Sequence, residues 1–594
     1  MRKSKPAFLP LGASWLHIQH CQDQLSQEQP DQTQGGYTDG KPAVPVTPGA
    51  VSRTYSAQIY CLNLKYVINC PVSSLMNIIL SLSRPFLLCM LACLLAGCSL
   101  PSLDGRTSSK ALNEAQASDT TLGQTILPLV RAHPGKSGIY ALADAHEAFA
   151  ARALLTRAAQ KSLDVQYYIW HDDITGTLLL EELRTAADRG VRVRLLLDDN
   201  GTAGLDEELA ALNNHPNIEI RLFNPFIVRW PKSIGFVTDF MRANRRMHNK
   251  SFTADNQATI IGGRNVGDEY FGAGKSVLFA DLDVLAIGKA AGDVSTDFDR
   301  YWESKSSYPV DLILPKVDAR VLPQLKARAE SLIKSQAAAQ YTQAIRTSPF
   351  ISKMLKGDLS FEWVDIRMVS DDPAKGLGKA KSNGLLTYQL ADILGRPTRT
   401  VDLISPYFVP TAAGVEVFTK MARDGVKLRV LTNSLDATDV SAVHAGYAKR
   451  REDLLAAGIE LYELRRISAT ATDERNGSAG PFGSSGSSLH AKTFAVDHKR
   501  VFVGSFNFDP RSTHLNTEMG FVIESANLAL QIENYFDKEI AKTSYEVRLS
   551  EAGNVYWIER RDGKLIRYDS EPETSLFKRG IVWFLSILPI EWLL

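Results

Sequence analysis

The chain has 594 residues, 44% of them hydrophobic and 22% charged. That is too long for one hydrophobic core and fits two domains with appendages, of ordinary globular composition. Its 67 basic and 66 acidic residues leave a formal charge of +1, so no overall field attracts a polyanion and no nucleic-acid partner is expected.

Residues 1–75 are Gln-rich and weakly periodic. They are expected to lie outside the mature protein, as a leader or the product of a wrong start, with Met76 as the true beginning. All six cysteines, Cys21, Cys61, Cys70, Cys89, Cys93 and Cys98, lie at or before position 98, so nothing beyond offers a disulfide or a thiolate metal site. Residues 76–98 read as a signal peptide: PFLLCMLACLLAGC at 85–98 has the length of a signal core and is short for a membrane span. Its end, Leu95-Ala96-Gly97-Cys98, resembles a bacterial lipobox, which implies lipidation at Cys98, and Ser99 behind it permits export to an outer membrane. The expected location is the bacterial cell envelope, as a membrane-anchored lipoprotein on the periplasmic side. Residues 99–136 read as a tether and lead-in.

The first domain is expected over 137–304. It opens with DAHEAFAARALLTRAAQKS, Ala-rich and helical, followed by LDVQYYIW, whose Leu163, Val165, Tyr167 and Ile169 alternate onto one face of a strand. A helix over Thr177–Asp188 stops at Gly190, and VRVRLLLDD at 191–199 follows as a buried strand. FNPFIVRWPKSIGFVTDFMRANRR at 223–246 places aromatic and cationic side chains before His248; an acyl-chain groove with arginines for headgroups and a plain helical insert both fit it. The stretch 305–360 reads as a helical connector.

The second domain, 361–545, repeats the order. VDLISPYF at 401–408 answers LDVQYYIW, a helix ends at Gly425, and VKLRVLTN at 426–433 answers VRVRLLLD. Gly190, Val191, Arg194 and Leu196 recur 235 residues later as Gly425, Val426, Arg429 and Leu431. Alternating strands and helices in each half point to α/β layers. A Gly/Ser-rich loop, 468–488, interrupts the second half. Residues 546–594 add a hairpin and an apolar tail, FKRGIVWFLSILPIEWLL, whose tryptophans suit a membrane interface. Packing on the second domain as a closing element fits the tail equally.

The repeat is sharpest at HNKSFTADNQATIIGGRN, 248–265, and HAKTFAVDHKRVFVGSFN, 490–507. Adding 242 to each position of the first gives the second without a gap, so His248, Lys250, Asp255, Gly262 and Asn265 fall on His490, Lys492, Asp497, Gly504 and Asn507. In each copy His, Lys and Phe sit two apart and share one face of a strand, and the Asp stands in a polar break before a second strand. Two copies of H-x-K-x4-D with a following Gly and Asn resemble the phospholipase D superfamily signature. The loop DDPAK at 371–375, SPYFVP at 405–410 and VHAGYAKRREDLLAAGIELYEL at 443–464 are similar to its cardiolipin-synthase-like members.

That resemblance implies two tandem, pseudo-symmetric α/β domains, each a mostly β-sheet core flanked by helices, with one active site at their interface. It implies His248, Lys250, Asp255, His490, Lys492 and Asp497 as catalytic residues, although Asp255 and Asp497 at hairpin tips fit a structural turn equally well. Asn265 and Asn507, with both lysines, would bind the substrate phosphate, and the glycines would let backbone approach it. Asp283 and Glu518, 35 and 28 residues past the histidines of their own copies, would orient the imidazoles. Family members form a phosphohistidine on the first-motif residue, which implies His248 as nucleophile and His490 as acid and then base. Fixed ammonium groups can replace a metal ion, so neither cofactor nor metal is expected. The implied activity is phosphatidyl transfer of the cardiolipin synthase type. Phospholipase D hydrolysis to phosphatidic acid stays open, and a nuclease or an inactive lipid-binding envelope protein is the third reading. Expected partners are phosphatidylglycerol, cardiolipin, phosphatidylethanolamine and a membrane surface.

Overall fold

The first half of the chain supplies nine strands: β1 (Ser137–Leu142), β2 (Ser162–Ile169), β3 (Arg192–Gly201), β4 (Ile218–Phe223), β5 (Ser251–Ala254), β6 (Ala258–Gly262), β7 (Phe279–Ala280), β8 (Asp283–Gly288) and β9 (Ser307–Pro309). The second half supplies β10 (Glu362–Ser370), β11 (Thr400–Ile404), β12 (Lys427–Asn433), β13 (Glu460–Leu464), β14 (Ser488–Leu489), β15 (Thr493–Val496), β16 (Arg500–Gly504), β17 (Met519–Glu524) and β18 (Ser544–Leu549). A terminal hairpin adds β19 (Val555–Arg561) and β20 (Lys564–Tyr568). In this computed structural model the described residues are 100–273, 278–318, 320–346, 348, 350, 353, 359–466 and 488–594. The leader 1–75, the segment 76–98 with Cys98, and the Gly/Ser-rich loop as far as residue 487 lie outside them.

Eighteen strands form one sheet. Its order is β9-β4-β3-β2-β5-β6-β8-β1 through the first half and β10-β17-β16-β15-β11-β12-β13-β18 through the second, with β19 and β20 at the far edge. The halves meet where β1 pairs antiparallel with β10, Ser137 opposite Val364. Read outward from that seam, the two orders correspond strand for strand, which gives the molecule its internal pseudo-twofold. β2, β3 and β4 run parallel, as do β11, β12 and β13; such strands need covering on both faces, which explains their near-continuous apolar runs.

Helices supply the cover. Ala145–Ala158, N-capped by Asp144, and Ile174–Asp188 bury Ala148, Leu155, Leu179 and Leu183 with Leu163, Val165 and Val193 of the sheet. In the second half Thr411–Arg423 buries Phe418 with Val401 and Val430. Gly190 and Gly425 follow their helices with φ of 94° and 87°, the left-handed conformation a helix end requires and glycine adopts without strain. A third core joins Ile139, Ile261 and Val284 of the first half to Val501, Val503 and Phe521 of the second.

The repeated Arg194 and Arg429 have a common cause. Each lies on the strand beside an aspartate, Asp164 or Asp402, and grips it with two hydrogen bonds of 2.6–2.9 Å, a bidentate pair that satisfies both buried groups. The stretch 99–136, expected as a tether, holds the helices Glu114–Ser118 and Thr121–Ala132. Its Ile126 joins the first-half core, and Arg106 Nη1 donates to the Ser304 carbonyl at 2.7 Å.

Candidate active site

Each H-x-K stretch leads into a hairpin, β5–β6 or β15–β16, whose tip carries two residues at positive φ. These are Asp255 (49°) and Asn256 (56°) in the first and Asp497 (54°) and His498 (57°) in the second. A two-residue hairpin loop demands that conformation, and Asp and Asn tolerate it best. The aspartates look away from the histidines. Asp255 accepts the backbone N–H groups of Gln160, Lys161 and Ser162 at 2.8–2.9 Å. Asp497 accepts those of Thr398, Arg399 and Thr400 at 2.7–3.1 Å. Both fasten a hairpin tip to the start of the neighbouring strand, about 16 Å of extended chain from their lysines, so the geometry gives them a structural role where catalysis had been implied.

The histidines are braced across the molecule. The His248 N–H donates to the Thr517 carbonyl at 2.9 Å, which brings Glu518 against the ring: Nδ1 lies 2.8 Å from Glu518 Oε2. By the pseudo-twofold, the His490 N–H donates to the Ala280 carbonyl at 2.8 Å, and its Nδ1 lies 2.6 Å from Asp281 Oδ2. Short parallel pairings, β7 with β14 and Met247 with Thr517, hold each junction. Glu518 orients a histidine as expected, and Asp283 does not. The histidine that Glu518 meets is that of the other half, and the acid on His490 is Asp281. Asp283 is a core residue that takes Arg152 Nη2 at 2.8 Å and lies 3.5 Å from Arg264. The two acids, Asp281 and Asp283, are an even number of positions apart, so strand alternation does not separate them. Asp281 lies in the break between β7 and β8, directly after the Ala280 carbonyl that takes the His490 N–H, whereas Asp283 opens β8 and is held within the first half by Arg152 and Arg264.

With the braces on Nδ1, the Nε2 atoms are left for chemistry. Both lysines are buried and donate to the carbonyl of their own histidine. The two motifs share one electrostatic environment: Lys250 and Lys492 both press down the proton affinity of His248, and both act on His490. Burial is the larger cause, holding His248 well below the ordinary imidazole range and His490 at about 4, where Lys492 and Lys250 add to it and the charge and hydrogen bond of Asp281 oppose it. Burial also lowers Lys250 strongly and brings Lys492 to about 8. Glu518 is pushed up to about 7 by burial, against Lys250 and the Ser505 and Ser512 hydroxyls. Asp281 stays below the usual carboxylate range, because His490 and Lys492 outweigh its burial. Neutral imidazoles beside concentrated positive charge suit an anion with a site for nucleophilic attack.

The asparagines differ. Asn265 accepts the Ile169 N–H at 3.2 Å and donates to the Tyr270 hydroxyl at 3.0 Å, whereas the buried Oδ1 of Asn507 has no partner among the described residues. The glycines make room for the neighbouring strands, and Gly263 for a brace. A Cβ on Gly263 would stand 2.1 Å from Asp281 Oδ1, one on Gly262 2.0 Å from Asp283 Oδ1, and one on Gly504 2.3 Å from the Met519 carbonyl. In the second copy Ser505 replaces that space with a hydroxyl donated to Glu518 Oε2, and Ser512 donates to Oε1 at 2.8 Å. The DDPAK loop completes the support: Asp371 accepts the Glu518 N–H at 2.9 Å, and Lys375 bridges Asp371 to the Ser512 carbonyl. Tyr168 and Tyr270 set their rings edge-on to His248 and His490, each 5.0 Å between centroids.

The family described as "Cardiolipin synthase, PLD-like domain" matches residues 153–302 and 390–540, one span in each half. Cardiolipin synthase C of Escherichia coli (strain K12) is 51% identical over 476 residues, 80% of this chain and 99% of that protein. The chain belongs to the phospholipase D-like cardiolipin synthase family. An uncharacterized protein of Helicobacter pylori (strain J99) is 32% identical over 79% of the chain and 92% of its own length. The crystal structure of phosphatidylserine synthase from Haemophilus influenzae shares the fold, with a TM-score of 0.50 at 13% identity over 79% of this chain and all of that one.

Three features of this family member lie outside the twin motifs. Among the described residues, His171, Asp173 and Glu269 bring ligand atoms within 4.8 Å of one another; His171 already pairs with Glu269 at 3.1 Å, and Asp173 accepts the Asp268 N–H at 2.7 Å. The C-terminal helix Leu576–Ile587 buries Val582 with Leu435 and Ala445, and the chain end accepts the Arg511 N–H at Leu594. The tail thus closes on the second half through one face only. Leu576, Phe577, Trp583, Phe584 and Ile587 stay exposed. Across the 223–246 insert the arginines are spent inside the protein: Arg242 on Asp239, Arg245 on the Lys375 and His514 carbonyls, Arg246 on the Asn224 carbonyl. No helix among the described residues is long and apolar enough to cross a membrane.

Proposed function

We propose that this chain is a phosphatidyltransferase of the cardiolipin synthase type, acting through a phosphohistidine. The cross-braced pair of imidazoles enclosing two buried ammonium groups carries the reading. The 51% identity to cardiolipin synthase C over nearly all of that protein favours a lipid acceptor over water.

The lipid phosphate lies between Lys250 and Lys492, whose fixed positive charge stabilises the charge that builds on the nonbridging oxygens. His248 Nε2, kept neutral by its surroundings, attacks phosphorus. The P–N bond forms as the bond to the departing alcohol oxygen breaks, and the His490 imidazolium gives that oxygen its Nε2 proton. A phosphodiester anion offsets the field of the two ammonium groups, and Asp281, 2.6 Å from Nδ1, then favours the imidazolium. The firmly ionised Asp281 supports His490 as the acid and base. In the second step the hydroxyl of another phospholipid attacks phosphorus, its proton passes to His490, and His248 leaves with the P–N electron pair.

The membrane side of the reading rests on exposed apolar side chains. Trp230, Val237 and Met241 of the insert are 69–89% exposed, and Phe240 meets Trp592 of the tail at 6.4 Å. Tail and insert therefore form one apolar rim, which we assign to docking on the bilayer that holds the substrate. Purified protein with phosphatidylglycerol vesicles, with and without phosphatidylethanolamine, tests the function by lipid mass spectrometry. Cardiolipin is the expected product; phosphatidic acid alone would replace transfer by hydrolysis.

A further inference from the structure

The pseudo-twofold holds for the histidines, lysines and braces but fails at the rim. At positions 242 apart, Glu269 faces Arg511 and Tyr270 faces Ser512. Around His490 stand the Tyr270 edge and the stacked ring of Phe279, 5.3 Å between centroids. Glu269, held by His171, is close enough for the charge of His490 to act on it. On the other side Arg511 acts on Tyr168, the residue packed on His248. Beside His248 an acid, Asp198, and a base, Arg511, thus both act on Tyr168, whereas beside His490 the rim is acidic.

The second acid on that side is Asp439, exposed in the loop before the helix Ser441–Ala448. Tyr407 donates its hydroxyl to Asp439 Oδ2 at 2.8 Å. The loop that carries Asp439 is fastened to β14, which leads into His490: Ser488 Oγ donates to the Ala437 carbonyl at 3.1 Å, and Asn433 exchanges hydrogen bonds of 3.0 and 2.9 Å with the Leu489 backbone. The Asp439 charge accordingly opposes the fall of Lys492 and pushes the Tyr270 phenol further up. A carboxylate there repels phosphate oxygens, whereas every group proposed to face the phosphate is a donor. Its counterpart in a bound lipid must therefore be a donor too, and in a phospholipid donors sit on the headgroup alcohol.

We infer that Asp439, held in place by Tyr407, accepts hydrogen bonds from the donor-rich headgroup of the alcohol that resolves the phosphohistidine, and so favours lipid transfer over water. The inference rests on the proposed function. It also matches the assignment of His490, since the alcohol that exchanges a proton with His490 must lie on that side of the phosphate. Asp439 takes no part in bond making; it positions the entering hydroxyl.

Cardiolipin and phosphatidic acid arise from one common intermediate, so their ratio is independent of the cleavage rate. With the full-length protein and phosphatidylglycerol vesicles, Asp439→Asn is expected to lower the cardiolipin to phosphatidic acid ratio about tenfold, the worth of one hydrogen bond to a charged group. Asp439→Glu should restore part of it, and Tyr407→Phe should shift it the same way by less. Deuterated glycerol and deuterated ethanolamine, offered as soluble acceptors, separate hydroxyl from ammonium recognition by which labelled lipid the Asn variant loses. A native ratio in Asp439→Asn overturns the inference while cardiolipin synthesis stands. A native enzyme that releases only phosphatidic acid overturns the transfer reading and this inference with it.

Discussion

Replacing Asp281 and Asp283 one at a time by Asn separates chemistry from packing at two carboxylates only two residues apart. Asp281 receives His490 Nδ1 at 2.6 Å, buried and charge-assisted. An amide keeps the shape and loses the charge. A buried hydrogen bond to a charged group is worth about 1.5–3 kcal/mol, so kcat/KM should fall about 10- to 150-fold while the fold survives. Asp283 touches neither histidine. Its carboxylate serves Arg152 and Arg264, both fully buried, and stranding such cations costs about 3–5 kcal/mol of stability. Asp283→Asn should therefore lower Tm sharply yet keep native turnover per folded molecule. Calorimetry gives stability, and turnover of phosphatidylglycerol normalised to folded protein gives activity. If Asp283→Asn loses turnover per folded molecule while Asp281→Asn keeps it, the cross-bracing argument fails.

Asp255→Ala should act through stability alone, costing about 1 kcal/mol for each of the three N–H bonds lost; a large drop in turnover per folded molecule would return Asp255 to the chemistry. Activity should peak between the two perturbed groups. Glu518, raised to about 7, loses its charge as pH falls through that value, and Lys492, lowered to about 8, loses its charge as pH rises through that one. The kcat/KM profile of the free enzyme reports both, and Lys492→Arg should move the alkaline limb upward; an alkaline limb unmoved by that change would assign it elsewhere. Replacing Trp583, Phe584 and Ile587, each 53–66% exposed, by Ser should release the protein from phosphatidylglycerol vesicles in co-sedimentation, and retention on the vesicles would argue that the tail serves another partner. Turnover should persist in excess EDTA, since ammonium groups supply the positive charge; a loss restored by a divalent ion would point to the His171, Asp173 and Glu269 cluster.

Much of the site was legible because duplication writes the same physics twice. The gapless register of the two motifs located both histidines and lysines, and the recurring Gly190/Gly425 and Arg194/Arg429 marked equivalent helix ends and strand pairs. The braces were harder. Counting from each histidine within its own copy selected Asp283, whereas β8 and β17 align at an offset of 237, which sets Asp281 on Glu518 and Asp283 on Gly520. That offset is readable in the letters, but only knowledge that Gly262 pairs with Asp283 and Gly504 with Gly520 makes it the right one. The aspartate of the motif was misleading for the opposite reason: its recurrence reflects a turn that needs positive φ and a clip on three backbone donors, a demand as strict as catalysis.

Local sequence determined the strands, the helix ends, the hairpin tips and the pairing of an imidazole with an ammonium group on one strand face, because each depends on neighbours a few residues away. Which glycine yields to which carboxylate follows from the pairing of β6 with β8 inside one half, but which acid meets which histidine was decided only when β1 met β10 and the halves closed on each other. Those contacts join residues more than 200 positions apart in the chain for both braces, and their geometry depends on the packing of both halves at once.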